Sequence, residues 1–258
     1  MMTQAERRLF LIRALLAENA YKETIPGDEA GQKYLLRALM NVREPLPASD
    51  EFLRVQDEYL QEENRRHGIT DIADLTPVAP GSDLYLWRGD ITTLKVGAIV
   101  NAANSGMTGC WQPCHACIDN CIHTFAGIQL RAVCADLMEK QGHEEPTGRA
   151  KITPAFNLPC DYVIHTVGPI VDSILTDEHC RLLESSYKSC LEIAVQNGIG
   201  SIAFCCISTG VFHFPNKRAA EIAVTTVESW LASHPGKMER GIFNVFKDED
   251  KKYYEELI

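Results

Sequence analysis

The chain has 258 residues, of which 45% are hydrophobic and 23% charged, with a net charge of −10. That length can bury a substantial core as one large domain, or as one domain with a smaller appendage, so stability needs neither metal nor disulfides. The composition excludes a disordered or fibrous chain, the acidity disfavours broad electrostatic binding to DNA or RNA, and no stretch approaches the roughly 20 apolar residues of a membrane span.

The N-terminus MMTQAERRLFLIRALLAENA alternates charged and apolar residues and has no cleavable apolar segment. A cytoplasmic, reducing compartment is therefore expected, in which the ten cysteines are thiols or metal ligands. Residues 4 to 23 and 30 to 42 have helical spacing, with Leu9, Ile12, Leu16 and then Leu35, Leu36, Leu39 recurring at three and four residues. Ser49 or Asp50 can cap a third helix running from Glu51 to His67. Residues 1–80 thus read as a helical extension, and LTPVAPGSD marks the boundary to a second domain over 81–258.

Beyond that boundary strands and helices alternate. Strands are predicted at 84–91, 96–102, 161–168, 201–207 and 241–246, and helices at about 118–140, 176–197 and 216–233, with a short one closing the chain. Several strands are almost continuous apolar runs, as expected when helices cover both sheet faces. The pattern predicts an α/β/α sandwich. In such sheets ligands bind beyond the carboxyl ends of strands, where three stretches are unusual: Gly89 and Asp90, NAANSG (101–106) and STGVF (208–212).

STGVF precedes Pro215 and a helix, so its amides can converge on an anion, although a tight turn using Gly210 explains it equally simply. Asn101 and Asn104 can bond sugar hydroxyls or satisfy their own turn. Asp90 can accept from an exocyclic amine or cap a turn. Their placement after three different strands favours one shared ligand site.

The stretch GCWQPCHACIDNCIH (109–123) holds Cys110, Cys114, Cys117 and Cys121 beside His115 and His123. Four ligands would make a closed structural zinc site, three would leave a catalytic position open, and free cysteines can also simply be core residues. Ile118, Ile122, Phe125, Ala126, Leu130 and Val133 form a helical stripe, which makes Cys121 and His123 packing positions. Asp119 falls in the first turn of that helix, where its charge suits the dipole and can face a cavity. PCHAC matches the PCxxC element of zinc deaminases, but the HxE partner, His143 and Glu145, follows it instead of preceding it.

Together, RGDIT, VNAANSG, CIDNCIHTFAG, YVIHTVGP and CISTGVFHFP resemble a macrodomain, an ADP-ribose-binding module, from about residue 82 to the end of the chain. GCxxPxHxCIDNxIHTFAG is similar to the zinc-dependent macrodomains of bacterial protein-ADP-ribose hydrolases, which also carry an N-terminal helical extension. The resemblance implies a three-layer α/β/α macrodomain with a mixed central sheet, acting as a monomer. It implies Zn2+ on Cys110, His115 and Cys117, with Cys114 at a variable position. It further implies adenine at Asp90 and Ile91, the ribose nearest the cleaved bond at Asn104, the distal sugar at Ile118 and Asp119, and the diphosphate and ribose at Ser208, Thr209, Gly210 and Phe212. Val211 stands where relatives carry a more polar residue, which leaves it a backbone contact.

The activity so implied is removal of mono-ADP-ribose from modified proteins, through cleavage of a ribosyl ester, with Asp119 and Asn104 at the reacting end. A sirtuin-type ADP-ribosyltransferase and a lipoyl-carrier-like target are the implied partners. A non-catalytic ADP-ribose reader with structural zinc is the alternative from another class, and a zinc deaminase the third.

Overall fold

The computed structural model describes every residue except 1, 19 and 21. Helix α1 (Gln4–Glu18) stops short of the predicted end at 23; residues 19 and 21 of that stretch lie outside the described residues. Helix α2 (Glu29–Val42) starts where Asp28 accepts from the Gly31 amide. Helix α3 (Asp50–His67) starts where Ser49 accepts from the Phe52 amide. The three share an apolar cluster that includes Leu11, Ile12, Leu36, Val55 and Tyr59, and that also takes in Ile128 from much later in the chain.

The strands β1 (Thr70–Asp71), β2 (Leu84–Arg88) and β3 (Leu94–Lys95) come next, β1 and β3 forming a small parallel pair of their own. Then follow β4 (Ala98–Ala103), α4 (Ile118–Ala126), α5 (Ile128–Gln141), β5 (Ala150–Pro154), β6 (Tyr162–Val167) and α6 (Asp177–Gln196). The chain continues through β7 (Ser201–Phe204), α7 (Asn216–Ser233), β8 (Arg240–Val245) and α8 (Asp248–Glu255). The main sheet has the order β2-β8-β7-β4-β6-β5. All its neighbours are parallel except β5, which runs antiparallel to β6 at the edge.

Several elements differ from the sequence reading: the short strands β1, inside the expected helical extension, and β3 are not predicted, and the strand predicted over 84–91 ends at Arg88. The single helix expected over 118–140 is two, because the Gly127 amide closes α4 on His123 O and α5 begins at Ile128. Strand β5 has no counterpart in the sequence reading; it ends in Pro154, which an edge position tolerates. Strand β7 stops at Phe204, so Cys205 to Ile207 leave the sheet.

That early departure makes room for a site. Strand β4 pairs with β6 from Ala98↔Tyr162 to Ala103↔Val167, but with β7 only at Ala98↔Ile202 and Ile99↔Ala203. After β4 the chain adds β5 and β6 on one side, and β7, β8 and β2 lie on the other. Strand order reverses there, and a crevice opens beyond the carboxyl ends. Among the described residues no helix is long and apolar enough to cross a membrane.

Candidate active site

A cavity of about 510 Å³ fills this crevice. At one end the loop before α4 brings Cys110, His115 and Cys117 together, with one ligand atom from each within 4.8 Å of the others. Cys110 Sγ lies 3.6 Å from His115 Nδ1. Cys117 is the N-cap of α4, its Sγ accepting from the Asn120 amide at 3.4 Å. Burial pushes the Cys117 thiol up to about 12; the Asn120 amide offsets part of this, and Cys110 adds to it. A nearby dication reverses that balance and makes thiolates. Two sulfurs and an imidazole nitrogen suit zinc, and three ligands leave a coordination position open. Cys114 points elsewhere, its thiol donating to Tyr34 O at 3.4 Å, and Cys121 lies within α4 but is half-buried and lines the cavity, so it is not the core position its helical spacing suggests.

At the other end stands the loop after β7. The left-handed backbone is at Ser208 (φ 65°) and His213 (φ 55°), not at Gly210. A Cβ on Gly210 would meet nothing within 4 Å. The glycine this loop needs is Gly168, where a Cβ would lie 2.0 Å from Ser208 Oγ. The loop closes on itself through Phe214 N donating to Ser208 O (3.0 Å) and His213 N to Gly210 O (3.1 Å). Among the described residues nothing accepts from the amides of Gly210, Val211 and Phe212. Helix α7 follows, and no side chain caps its N-terminus. Unpaired amides beside an uncapped helix start can cradle an anion.

Asp90 flanks the cavity as the cap of a short 3-10 turn, Ile91–Thr93. Its Oδ1 accepts from Thr92 N (2.9 Å) and Thr92 Oγ1 (2.6 Å), while Oδ2 lies 3.4 Å from His67 Nε2 of α3.

Residues 100–223 match the Macro domain family. Over 261 aligned positions, covering 100% of both proteins, the chain is 66% identical to a protein-ADP-ribose hydrolase of Treponema medium. The chain belongs to the macrodomain family. It is also 42% identical to a probable bifunctional ADP-ribose hydrolase/ADP-ribosyltransferase of Fusarium oxysporum f. sp. cubense, across 92% of this chain and 43% of that one. Among solved structures, a Trypanosoma brucei macrodomain in complex with ADP-ribose matches with a TM-score of 0.66 at 30% identity, covering 82% of this chain and 91% of that one.

In this macrodomain Asp90, Ile91, Ile118 and Ser208 to Phe212 line the cavity together with His115 and Cys117. Asn104, half-buried, and Asp119, buried, are not among the lining residues and are bonded to each other. Asn104 donates to Gly109 O (3.1 Å) and to Asp119 Oδ2 (3.4 Å), and accepts from the Gly106 amide (3.0 Å). Asp119 is 5% exposed, and its Oδ1 accepts from Asn101 Nδ2 at 2.8 Å. Burial raises its carboxyl to about 6, against the pull of the Asn101 bond and the Arg131 charge.

Behind Asp119 lies a second buried group, His123, Cys134 and His165, with one atom of each within 4.8 Å of the others. Both His165 nitrogens are already engaged, Nδ1 with Asn101 Nδ2 (3.1 Å) and Nε2 with Thr153 Oγ1 (2.9 Å). Burial lowers His165 to about 4, so a neutral ring orients Asn101 toward Asp119. Among the described residues, His143 and Glu145 join neither group of potential metal ligands.

The sequence reading missed Asn244, Phe246, Lys247 and Asp250, which line the cavity from the end of β8 and the start of α8. The sequence pattern gives a strand over 241–246 and a short closing helix with no motif to mark them as site elements, yet β8 neighbours β7 and delivers its end to the same crevice.

Proposed function

We propose that this macrodomain is a zinc-dependent hydrolase that removes mono-ADP-ribose from modified proteins, cleaving the bond between ribose and a side chain, an O-glycosidic ester. The observation that carries the reading is that His115 and Cys117 line the same cavity as Asp90 and the Ser208 to Phe212 loop. A 66% identical relative bearing the name protein-ADP-ribose hydrolase supports it.

Cys110, His115 and Cys117 would hold the zinc, which when bound supplies Lewis acidity toward a ribose hydroxyl or water. The chain's own groups do the rest. The amides of Gly210, Val211 and Phe212 neutralise the diphosphate and fix its bend, so that the distal ribose is presented in one orientation. Asp90 accepts from the adenine amine through Oδ2, with Ile91 packed beside it. Asn104 contacts the ribose, and Asp119 acts through it, orienting the sugar or taking a proton at Oδ2.

The test is release of ADP-ribose from a mono-ADP-ribosylated protein by the zinc-loaded chain, then after chelation, then after zinc is restored. Loss on chelation and recovery on reloading are expected. The burial of Asp119 favours a second reading, a non-catalytic ADP-ribose reader whose zinc only orders the loop. Binding of ADP-ribose without release by the loaded protein would establish that reading instead.

For partners, the reading is a sirtuin-type ADP-ribosyltransferase with a lipoyl-carrier-like target. The Fusarium relative supports the pairing, since its name joins hydrolase and transferase in one chain. The ten free cysteines support a cytoplasmic location.

A further inference from the structure

We infer that helix α2 is a working part of the thiol site: Arg37 and Asn41 are positioning residues that hold the Cys110–Cys117 loop in the shape its metal requires. The inference rests on the zinc reading above, and it gives the N-terminal helices a task other than covering the sheet.

The loop has little internal support. It contains no helix or strand, and Cys114 sits at φ 54°. Apart from a turn in which His115 N donates to Gln112 O at 3.2 Å, its shape is fixed by side chains from outside. Arg37 Nη2 donates to His115 O at 2.8 Å and to Asn120 Oδ1 at 2.9 Å, and lies 3.6 Å from Cys121 Sγ. One cationic group thus fixes the backbone of the histidine ligand to α4. Asn41 grips the same loop one turn along α2: Oδ1 accepts from the Cys114 amide at 2.9 Å, while Nδ2 donates to Thr124 Oγ1 at 2.9 Å.

Asn120 links these contacts to both cysteine ligands. Its side chain, oriented by Arg37, donates to Gln112 O (3.0 Å) and Cys110 O (3.4 Å), and its amide donates to Cys117 Sγ. Asn41 is 2% exposed and Asn120 is 0% exposed, so water cannot replace either partner. Removing the guanidinium frees His115 O and leaves Asn120 Oδ1 only the long Thr124 Oγ1 contact at 3.4 Å, and the three ligand atoms then lose their common frame. Groups that orient ligands in this way typically govern metal affinity by about 10- to 100-fold.

The test is zinc affinity of the full chain, measured by competition with a chromophoric chelator, alongside the melting temperature. Arg37→Met keeps the aliphatic stem and removes the donors; zinc affinity should fall about 10- to 100-fold. Arg37→Lys, which keeps a cationic donor on a similar stem, should recover part of it. Arg7→Met is the control, because it breaks an α1–α3 ion pair with Glu58 (2.9 Å) and leaves the loop contacts intact; its zinc affinity should match wild type. If Arg37→Met fails to fold, Arg37→Lys and Asn41→Ala carry the comparison, with a smaller expected loss in the first than in the second.

A lower melting temperature with unchanged zinc affinity in the Arg37 and Asn41 variants would overturn the inference, as would an equal loss in Arg7→Met. Equal zinc binding by wild type and Cys117→Ala marks a different failure, that of the zinc reading itself.

Discussion

The two ends of the cavity are made of different material. The thiol end consists of side chains, Cys110, His115 and Cys117, on a loop with almost no regular structure. The end after β7 consists of backbone, the unpaired amides of Gly210, Val211 and Phe212, in a loop that closes on its own carbonyls. The difference teaches where each end is vulnerable. A side-chain change can abolish the first, whereas the second yields only to changes that move its main chain.

The sharpest way to test that contrast is Cys117→Ala. ADP-ribose release should fall by about 1,000-fold, or ~4 kcal/mol of barrier, while ADP-ribose affinity measured by calorimetry stays within a few fold. A comparable loss of affinity would mean that the two ends are not separable.

The buried groups behind the thiol end should show themselves in acid. His165, lowered to about 4 from 6.5, contributes stability above pH 6.5 that is lost as pH falls toward 4. Asp119, raised to about 6 from 3.8, works the other way: its contribution is fully present below 3.8 and is lost as pH rises through 6. Asp119→Asn removes that opposing contribution. Its unfolding free energy, from urea titrations at pH 6.5 and pH 4, should therefore drop about 2 kcal/mol more than that of wild type. Parallel pH curves for the two proteins would refute this.

At the backbone end, Gly168→Ala places a Cβ 2.0 Å from Ser208 Oγ and 2.7 Å from Ile207 Cγ2. The loop has to move, at a cost of about 1–3 kcal/mol in stability, and ADP-ribose affinity should fall with it. The smallest effect is expected of Ser208→Ala. The Ser208 hydroxyl is buried without a partner, so its removal should change stability by less than about 0.5 kcal/mol or raise it. Affinity should change less than threefold. A large loss of affinity would show that the hydroxyl, not the main chain, binds.

The contrast also explains what was legible in the sequence. Helical spacing located α2, α3, α6 and α7 closely, because each buries one apolar stripe. It passed over Gly127, since Leu130 and Val133 continue the stripe of Ile122 and Ala126 by coincidence of register. Strand β5, AKITP, is short and sits at an edge, so it lacks the apolar run that marks β4 and β6. In the site, motifs pointed to the thiols and to the loop after β7. They could not show that Asp119 is buried, that Ser208 rather than Gly210 takes the left-handed turn, or that Phe246 reaches the cavity. Those facts depend on how distant strands end beside one another, which no local spacing encodes.

Arg37 and His115, joined across 78 residues, have a consequence for synthesis. Chains emerge from the ribosome N-terminus first, at about 5–20 residues per second. The arginine that grips the loop is thus outside several seconds before the histidine it holds, and α1 to α3 share an apolar cluster. The side chains of α2 that grip the thiol loop are made before it, and the cluster that packs their helix is completed only when Ile128 follows.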